Sequence, residues 1–371
     1  MMSFHARETT GQPVDSRGQC YIRRPKGVIV DSNVYYASTA DGVRKAVWKV
    51  LDAVEARSLL PAGMDVLLKI NLTWDFVRPG VDTSPWVVEA VASYLQGHVG
   101  RIWLGESSQV LVDASRAFLR TGMSEVARRL DLRWHNFSEN NWVPVEEQGL
   151  RFFIPEICTR MPVVSIPVVK THYRTTISAA LKNLYGCLDD NRHNYHYRLA
   201  DYLTAVNTRI PVVFTVADGT VSLQGNGPKP GIPIQTDFTA ASTHRVALDR
   251  SLALTMGFDP GEIGIIRAAD GLVDGEADSR EIALPPMSEV PRFHFIPARP
   301  NFVARVEKRL RGKRQGPGKD GPLMGPLKLG AKFWYRLSYR LFGQRRDAVR
   351  WISDSPYGAQ WSGLPESGDE R

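Results

Sequence analysis

The sequence predicts an α/β protein with a mostly parallel sheet and helices on both faces of that sheet. Short apolar runs alternate along the chain with segments whose apolar residues recur at helical spacing. The runs are continuous rather than interrupted by polar residues, which is typical of strands buried on both faces of a parallel sheet. With 371 residues, the chain can form one large or two ordinary domains, so the sheet could lie in one lobe or two.

The apolar runs predict strands over residues 27–32, 64–71, 101–104, 132–137, 151–154, 163–169, 212–217 and 234–241. Helical spacing predicts helices over residues 41–57, 114–120, 124–130, 191–206, 243–257 and 262–269. Two more helices are expected, one capped by residue 83 or 84, and one capped by Thr175 or Thr176 and ended by Gly186. Residues 222–231 are rich in Gly and Pro, so we expect a loop there.

The cysteines and the apolar stretches limit the cellular setting. Cys20, Cys158 and Cys187 are widely spaced and odd in number, which fits neither a disulfide framework nor a thiolate cluster and favours a reducing compartment. We find no apolar signal-peptide core near the first residue and no run of about 18 apolar residues. A cytoplasmic location is therefore expected.

The net charge of +8 is concentrated in one part of the chain. Residues 299–350 contain 15 Lys and Arg against 3 Asp and Glu, which leaves 32 against 36 for all other residues. We therefore divide the chain into an N-terminal arm (1–27), an α/β domain (28–298) and a basic tail (299–371). Because the domain itself is slightly acidic, its overall charge predicts no specific nucleic-acid binding.

The tail contains a basic and aromatic segment, residues 328–342, after a linker rich in Gly, Pro and Lys. Trp334 lies among Lys332, Arg336 and other aromatic residues, a mixture suited to a helix in an anionic membrane interface. A helix docked on the body of the protein explains the same pattern equally well. Peripheral membrane contact and simple docking therefore remain alternatives, with nucleic-acid binding third.

The most informative stretch is residues 163–199, where an apolar run leads directly into Lys170 and His172. In open α/β sheets ligands bind outside the carboxyl ends of the strands. Cationic and imidazole side chains at such an end, with Lys182 on the following helix, form a candidate anion-binding corner in which a buried Lys170 could also act as a base. The alternatives are a solvated strand end, and a Lys182 that extends to water.

Other polar residues follow the predicted strands. Lys69 and Asn71 end the strand at 64–71, and Glu106 follows the next strand as a base or a helix cap. Asp218 could bind a hydroxyl group or a metal, or form an Asx-turn. Gly225 and Gly227 could cradle a phosphate with their N–H groups, although the spacing matches neither the Walker motif nor the dinucleotide fingerprint.

His193 and His196 are three positions apart on a predicted helix, so both imidazoles would lie on one face. This spacing can place two nitrogen ligands on a metal ion. Asp189 and Asp190 lie close in the sequence, but no carboxylate has a diagnostic spacing. The alternative is that the histidines cap or hydrogen-bond.

An ordered set of motifs resembles domain-of-unknown-function family 362 over about residues 28–270. The motifs are LLKINL (67–72), TSPWVVEAV (83–91), GES (105–107), PVVKTH (167–172), ALKNLYGC (180–187), the His193/His196 pair, ADGTVSLQGNGPKPGIP (217–233) and ALDRSLALTMGFDP (247–260). The resemblance adds Asn183 and Asp249 to the candidate site. Several members of the family carry ferredoxin-like cysteines that this chain lacks, so an iron–sulfur cluster is not expected. Many have an acidic residue where this chain has Gln224, so a metal or base role does not transfer to that position.

The chain more distantly resembles the nickel-pincer lactate racemase family, in which an α/β lobe presents a His after a strand, a Lys in a helix and a later His. That resemblance would make His172, Lys182 and His193 or His196 ligands of a nucleotide-derived cofactor or of the substrate. Because fold-level similarity does not specify chemistry, the cofactor stays unassigned between a metal and a nucleotide derivative.

Two functions follow from these residues. In the first, an enzyme of unassigned reaction binds an anionic small molecule or cofactor. Lys69, Lys170 and Lys182 supply charge, His172 and one of the later histidines do acid–base or ligand work, and Glu106, Asp218 and Asp249 orient them. In the second, a non-catalytic accessory protein is recruited to a membrane or protein assembly by its basic aromatic tail.

Overall fold

A computed structural model of the chain describes residues 34–109, 112–273, 284–286, 288, 290–299, 330 and 344–361. The strands are β1 Tyr35–Ser38, β2 Val66–Lys69, β3 Ile102–Glu106, β4 Arg133–Asn136, β5 Trp142–Glu147, β6 Leu150–Pro155, β7 Val163–Ser165, β8 Val168–His172, β9 Thr176–Ser178, β10 Val212–Gln224 and β11 Ile232–Ser242. The α-helices are α1 Val43–Ala53, α2 Ala56–Leu59, α3 Pro85–Leu95, α4 Ala114–Arg120, α5 Met123–Arg129, α6 Ile157–Arg160, α7 Ala180–Asn183, α8 Leu199–Arg209, α9 Arg245–Met256, α10 Gly264–Ala269 and α11 Gln344–Asp354. Short 3₁₀ helices lie at Phe137–Glu139, Leu184–Cys187, Arg192–Arg198, Pro260–Glu262 and Gly358–Trp361.

Nine of the strands form one sheet, in the order β1-β11-β10-β7-β2-β3-β4, with β8 paired to β10 and β9. The pairs β10–β7, β7–β2, β2–β3, β3–β4 and β10–β8 are parallel. The pairs involving β11 and β9 are antiparallel, and β5 with β6 forms a separate antiparallel hairpin. The prediction of an α/β protein with a mostly parallel sheet is confirmed.

Helices cover both faces of this sheet. On one face α1 and α3 pack on β2 through fully buried residues such as Val47, Val88 and Leu68. On the other face α7 to α10 pack on β8, β10 and β11, with Leu252 and Val169 in that second core. Continuous apolar strands are thus buried from both sides, as their composition requires.

The strand predicted over residues 163–169 is wrong in one respect, because it is two strands. β7 ends at Ser165 and pairs with β2 and β10, whereas β8 begins at Val168, pairs with a later part of β10 and has β9 in place of β2. Pro167 lies between them and has no N–H to donate to the ladder. Its carbonyl accepts the Asp218 N–H at 2.8 Å, so the chain crosses from one pairing partner to another at this proline.

The helix predicted to begin at Thr175 or Thr176 is also wrong. Thr176 has φ 62, a left-handed conformation, and it begins the short strand β9 that returns along β8. The helix begins four residues later, at Ala180, and lasts a single turn. A local threonine does not cap it. The Asp249 carboxylate accepts the N–H groups of Ala180 at 2.7 Å and Leu181 at 3.1 Å.

Smaller differences concern element limits. The segment predicted as a helix over residues 191–206 starts as a 3₁₀ turn and becomes α8 only at Leu199. The loop predicted at 222–231 is shorter, because β10 continues to Gln224. Strand β5 was not predicted from the sequence. Cys158 and Cys187 are free, buried thiols.

The C-terminal segment 344–361 packs on the body next to the start of α3. Tyr357 and Trp361 are buried in the first core, and the Gln360 side-chain oxygen accepts hydrogen bonds from the Ser84 hydroxyl and the Trp86 N–H. The strand predicted at 27–32, the arm, Cys20 and nearly all of 299–343, including the amphipathic segment, lie outside the described residues. None of the helices in the described part of the chain combines the length and the apolar character needed to cross a bilayer.

Candidate functional site

The carboxyl ends of the parallel strands bring the predicted site residues to one edge of the sheet. Lys69, the last residue of β2, lies opposite Gly105 of β3 and Ser165 of β7. Lys170 of β8 lies opposite Leu223 of β10, on the same side of the sheet. Ligands bind at this edge in open α/β sheets, so a ligand site here stays a prediction.

Lys69 and Glu106 form a buried ion pair in the floor of this edge. The Lys69 Nζ lies 2.9 Å from Glu106 Oε2, and their side chains are 0% and 2% exposed. Both groups are further satisfied by the backbone. Lys69 donates to the Ile70 carbonyl at 2.6 Å, and Glu106 accepts the N–H groups of Leu72 at 3.2 Å and Ser107 at 2.8 Å. A pair with this many partners is a structural support, because neither charge needs a ligand.

Gly186 lies directly over this ion pair. A Cβ at position 186 would lie 2.4 Å from Glu106 Oε1 and 3.1 Å from Lys69 Nζ. No side chain fits there without displacing a buried charge. The glycine of the Lys-Asn-Leu-Tyr-Gly motif is therefore required by the close approach of its backbone to the pair. The prediction that it ends a helix is wrong, because α7 ends at Asn183 and Gly186 lies within the 3₁₀ helix Leu184–Cys187.

Lys170 is buried but fully partnered. Its Nζ donates to Asn71 Oδ1 at 2.7 Å, the Val81 carbonyl at 2.7 Å and Thr73 Oγ1 at 3.4 Å. Burial lowers the pKa of Lys170, while the field of Asp82 opposes that change. Lys170 thus joins β8 to the loop after β2, and Asn71 serves as its hydrogen-bond acceptor.

Asp82 was missed by the sequence analysis and lies beside Lys170. Its Oδ1 accepts the N–H groups of Thr73 at 2.5 Å and Trp74 at 3.1 Å. Its Oδ2 is buried and has no hydrogen-bond partner among the described residues. Burial raises the pKa of Asp82, and Lys170 and Lys229 oppose this. A buried carboxylate oxygen without a donor is costly, so a ligand N–H or O–H group is a suitable partner for it.

Lys182 differs from Lys69 and Lys170 because its amine has no hydrogen bond or ion pair with any described residue. Its Nζ lies 3.8 Å from the centroid of the Tyr185 ring, and the side chain is partly exposed. Burial, together with the fields of Lys170, Arg192 and Arg174, lowers the pKa of Lys182 to about 7. The ring face favours the ammonium by roughly 0.5–2 kcal/mol and thus acts against this shift.

Lys229 is a second amine of this kind, and it too was missed by the sequence analysis. It lies in the loop between β10 and β11, with its Nζ 5.1 Å from the Trp74 ring centroid. It has no hydrogen bond or ion pair within the described part of the chain. Burial lowers its pKa to about 8, while Asp82 opposes the shift and Lys170 adds to it. Because Lys170 and Arg192 influence both Lys182 and Lys229, the two unpaired amines flank one cationic region.

His172 lies in this region as a neutral imidazole. Burial and then the field of Lys182 are the main causes that lower its pKa well below the usual value. The Arg174 N–H donates to His172 Nδ1 at 3.1 Å, which assigns the ring hydrogen to Nε2. His172 therefore offers an N–H donor at neutral pH rather than a positive charge.

His193 and His196 lie in the 3₁₀ turn Arg192–Arg198, where residues three apart share a face. His196 stacks on Tyr185 with 5.6 Å between ring centroids, and its field also lowers the pKa of His172. Within the described ranges, no group of three or more His, Cys, Asp or Glu side chains is arranged to hold a metal ion. The metal role of the two histidines stays a prediction.

Three predicted ligand residues form hydrogen bonds that support the site, although one of their oxygens has no partner among the described residues. Asp218 accepts the Ser84 N–H at 2.7 Å and the Thr220 N–H at 3.1 Å, which includes the Asx-type turn given as its alternative. Asp249 holds the first turn of α7, and burial raises its pKa to about 7. Asn183 donates to the Lys69 carbonyl at 3.1 Å and Ser165 Oγ at 3.0 Å, while its Oδ1 lacks a partner among described residues.

The glycines of the loop after β10 serve close packing. A Cβ on Gly227 would lie 1.9 Å from the Thr171 carbonyl oxygen, so the loop rests directly on β8. The Gly225 N–H donates to the Ile296 carbonyl at 2.7 Å, and the Gly227 N–H to the Gly225 carbonyl at 2.7 Å. Both N–H groups that were predicted to cradle a phosphate are thus engaged within the protein, and the loop instead contributes Lys229.

A separate open groove of about 1160 Å³ lies away from the strand ends, between α1, α3, α5 and Gln360. It contains acidic and basic residues in similar numbers, such as Arg44 and Glu89, which form an ion pair. None of the predicted site residues lines it. The predicted site residues therefore all lie outside this groove.

Comparisons with known proteins include a curated relative and a solved structure. A thylakoid-associated protein of Synechocystis is 27% identical over 221 residues, covering 57% of this chain and 68% of the relative. The crystal structure of a Thermotoga maritima protein matches with a TM-score of 0.33 and 11% identity, over 52% of this chain and 53% of that chain. This chain thus spans about half the length of the solved structure.

The matches give no evidence for the lactate racemase resemblance. A family model does match, over residues 66–253, and its description is a domain of unknown function, DUF362. These residues begin with β2 and end within α9, so they include every side chain of the site from Lys69 to Asp249. The chain belongs to the DUF362 family.

Proposed function

We propose that the protein is an enzyme that binds an anionic small molecule at the carboxyl edge of its sheet, between Lys182 and Lys229. The observation that carries the proposal is that neither amine forms a hydrogen bond or an ion pair with an acidic side chain among the described residues, whereas Lys69 pairs with Glu106 at 2.9 Å. A cation that the protein leaves unpaired in a partly buried place is a ready partner for a ligand anion. His172 and the free Asp82 oxygen provide a donor and an acceptor beside it.

The partial burial of both amines favours catalysis over simple surface attraction. Buried cations interact with an anion much more strongly than solvated ones. Burial raises the pKa of Asp82 to about 7, so this carboxyl can exchange a proton near neutral pH. A lactate racemase-like use of His172, Lys182 and His193 or His196 is compatible with these positions, and so is an unassigned metal or nucleotide-derived cofactor.

The first test is binding of inorganic pyrophosphate, measured by calorimetry and by the rise in melting temperature. We expect Lys182→Gln and Lys229→Gln each to weaken binding about tenfold to hundredfold, the effect of one charge-assisted hydrogen bond of about 1.5–3 kcal/mol. Exposed Lys45, which pairs only with Asp41 at 3.4 Å, supplies the matched control Lys45→Gln. A sodium chloride solution of the same ionic strength as the pyrophosphate solution is the salt control. It shows whether the rise in melting temperature comes from a specific site or from general charge screening. Equal binding by all three variants would refute the proposed site.

A second candidate function is that of an accessory protein recruited to a membrane. It is favoured by the name of the relative, a thylakoid-associated protein, and by the basic aromatic segment 328–342 of the sequence. Co-sedimentation with vesicles of phosphatidylglycerol and of phosphatidylcholine tests it. We expect binding only to the anionic vesicles, lost in a Trp334→Ala/Arg336→Ala double variant; equal binding to both vesicle types, or to none, counts against recruitment.

A further inference from the structure

We propose that Lys182 is a nucleophile that forms an imine with a carbonyl-bearing anion, such as a 2-oxo acid or an aldehyde carrying a carboxylate or phosphate. This inference rests on the proposed anion site and names the class of substrate that it takes. It depends on four features of the surroundings of Lys182.

The first feature is the free amine. Lys69 donates hydrogen bonds to two protein acceptors, and Lys170 donates hydrogen bonds to three. Lys182 donates to no described residue, and its nitrogen lies over the face of the Tyr185 ring. Its lone pair, once the proton has left, is therefore available to a carbonyl carbon without first breaking a hydrogen bond.

The second feature is the sign of the neighbouring charges. Lys170, Arg192 and Arg174 all act on Lys182, and the acidic Glu106 is the weakest of the influences upon it. Cations close to a buried amine favour its neutral, nucleophilic form, and they also attract the anionic group of the substrate. Lys229 differs here, because Asp82 and Asp75 help to keep it protonated. The surroundings of Lys182 therefore suit it to nucleophilic attack, whereas those of Lys229 suit it to remain a cation.

The third feature is rigid placement. Lys182 lies on α7, whose first two N–H groups are held by the buried Asp249 carboxylate. Asn183, the next residue, ties the same turn to Lys69 and Ser165. Lys229 lies between two prolines in a loop. A nucleophile fixed on a helix keeps its orientation toward the reacting carbon, which is where positioning accelerates a reaction.

The fourth feature is a route for protons. The Lys182 nitrogen adds to the carbonyl carbon, and a proton moves from nitrogen to oxygen to give a carbinolamine. Loss of that hydroxyl with a further proton releases water and leaves the C=N bond, so one amine and one carbonyl give one imine and one water without oxidation. His172 and His196 lie within electrostatic range of each other, and His172 within that of Lys182. Their imidazoles can pass these protons.

The test uses glyoxylate, the smallest aldehyde with a carboxylate, with sodium cyanoborohydride to reduce any imine to a stable amine. We expect one carboxymethyl group per chain, mapped by peptide mass spectrometry to Lys182. Lys182→Arg keeps the positive charge but removes the nucleophile, so it should lose this label at least tenfold. Lys45→Arg, at the exposed surface pair with Asp41, is the matched control and should keep it. Propionaldehyde, which carries no charge, should label Lys182 no faster than surface lysines.

The outcomes separate this inference from the function on which it rests. If pyrophosphate stabilises the protein but glyoxylate labels lysines at random, or labels Lys182→Arg as fully as wild type, the imine is refuted and the anion site stands. If propionaldehyde labels Lys182 as readily as glyoxylate, the requirement for an anionic substrate is refuted. Retained pyrophosphate stabilisation of Lys182→Arg shows that the variant is folded, so a lost label reports the missing amine.

Discussion

The lysines at the sheet edge form two groups that differ in what the protein provides for them. Lys69 is enclosed with Glu106 and backbone groups at 0% exposure, whereas Lys182 and Lys229 contact aromatic rings and no described acid. A buried charge is stabilised by an opposite charge and by hydrogen-bond partners, which Lys69 has. Lys182 and Lys229 have neither among the described residues. Because unpaired buried charge is costly, its presence beside a fully satisfied pair points to a purpose other than stability.

The sharpest way to test this contrast is to remove a charge from each group. Glu106→Ala leaves the Lys69 ammonium buried without an opposite charge and removes the acceptor for Leu72 and Ser107. We expect the free energy of unfolding to fall by about 3–5 kcal/mol, measured by urea denaturation at neutral pH.

Lys182→Met serves as the comparison variant. It removes an amine without a partner and leaves an apolar chain of similar length against Tyr185, so we expect the same measurement to stay level or rise by about 1 kcal/mol. If both substitutions destabilise the protein equally, the distinction between a supporting pair and free amines is wrong.

The pH dependence of anion binding provides a second, smaller test. The pKa values of Lys182 and Lys229 are lowered to about 7 and about 8, so both amines lose their protons between pH 6 and pH 9. Anion affinity is carried by the protonated forms and should therefore fall as pH rises. We expect pyrophosphate affinity to drop at least tenfold over this range, which corresponds to about 1.4 kcal/mol, measured by calorimetry at constant ionic strength.

The Lys182→Arg/Lys229→Arg double variant sharpens the same measurement, because arginine stays protonated throughout this range. Its affinity should change far less with pH. If it loses affinity as steeply as wild type, groups other than these two lysines titrate in the site.

The smallest expected effect concerns the support of α7. Asp249→Asn keeps one acceptor for the N–H groups of Ala180 and Leu181 but not two, so we expect a loss of about 1 kcal/mol of stability, typical of a weakened helix cap.

Burial raises the pKa of Asp249 from 3.8 to about 7. A raised carboxyl pKa means that the folded state binds the extra proton, so its contribution is full below pH 4 and is lost as pH rises through 7.

The variant should therefore lose less stability than wild type between pH 4 and pH 7, as followed by thermal denaturation. Asp41→Asn, at an exposed surface pair, is the matched control and should leave this slope unchanged. An unchanged slope in Asp249→Asn would show that the carboxyl does not titrate in this range.

The sequence predicted the fold well where local pattern decides structure. Continuous apolar runs and helical spacing gave the order of strands and helices, and strand ends gave Lys69, Glu106 and Lys170 as neighbours, because parallel strands end at one edge. The pattern failed at 163–186. Pro167 divides one apolar run into two strands that share β10 but differ in their second partner, β2 or β9. The left-handed Thr176 cannot begin a helix, so both errors depend on pairing that only the sheet determines.

The candidate site was only partly predictable, for a similar reason. Asp82 and Lys229 are ordinary loop residues in the sequence, and their importance arises from burial against Lys170 and Trp74. The only local signals were the Asp-Thr-Ser sequence before α3 and a lysine between two prolines. Conversely, Asp218 and Asp249 carry the motif resemblance, yet both oxygens of each accept hydrogen bonds from the protein.

The dependence of α7 on Asp249 also affects when the site can exist during synthesis. A four-residue helix is too short to form alone, and its capping carboxylate lies 69 positions further along the chain. At about 5–20 residues per second, the ribosome needs roughly 3–14 s after making Ala180 to deliver Asp249. Lys182 therefore lacks its helical placement on the nascent chain until α9 has emerged, so the proposed imine site is completed only after this later part of the chain has been translated.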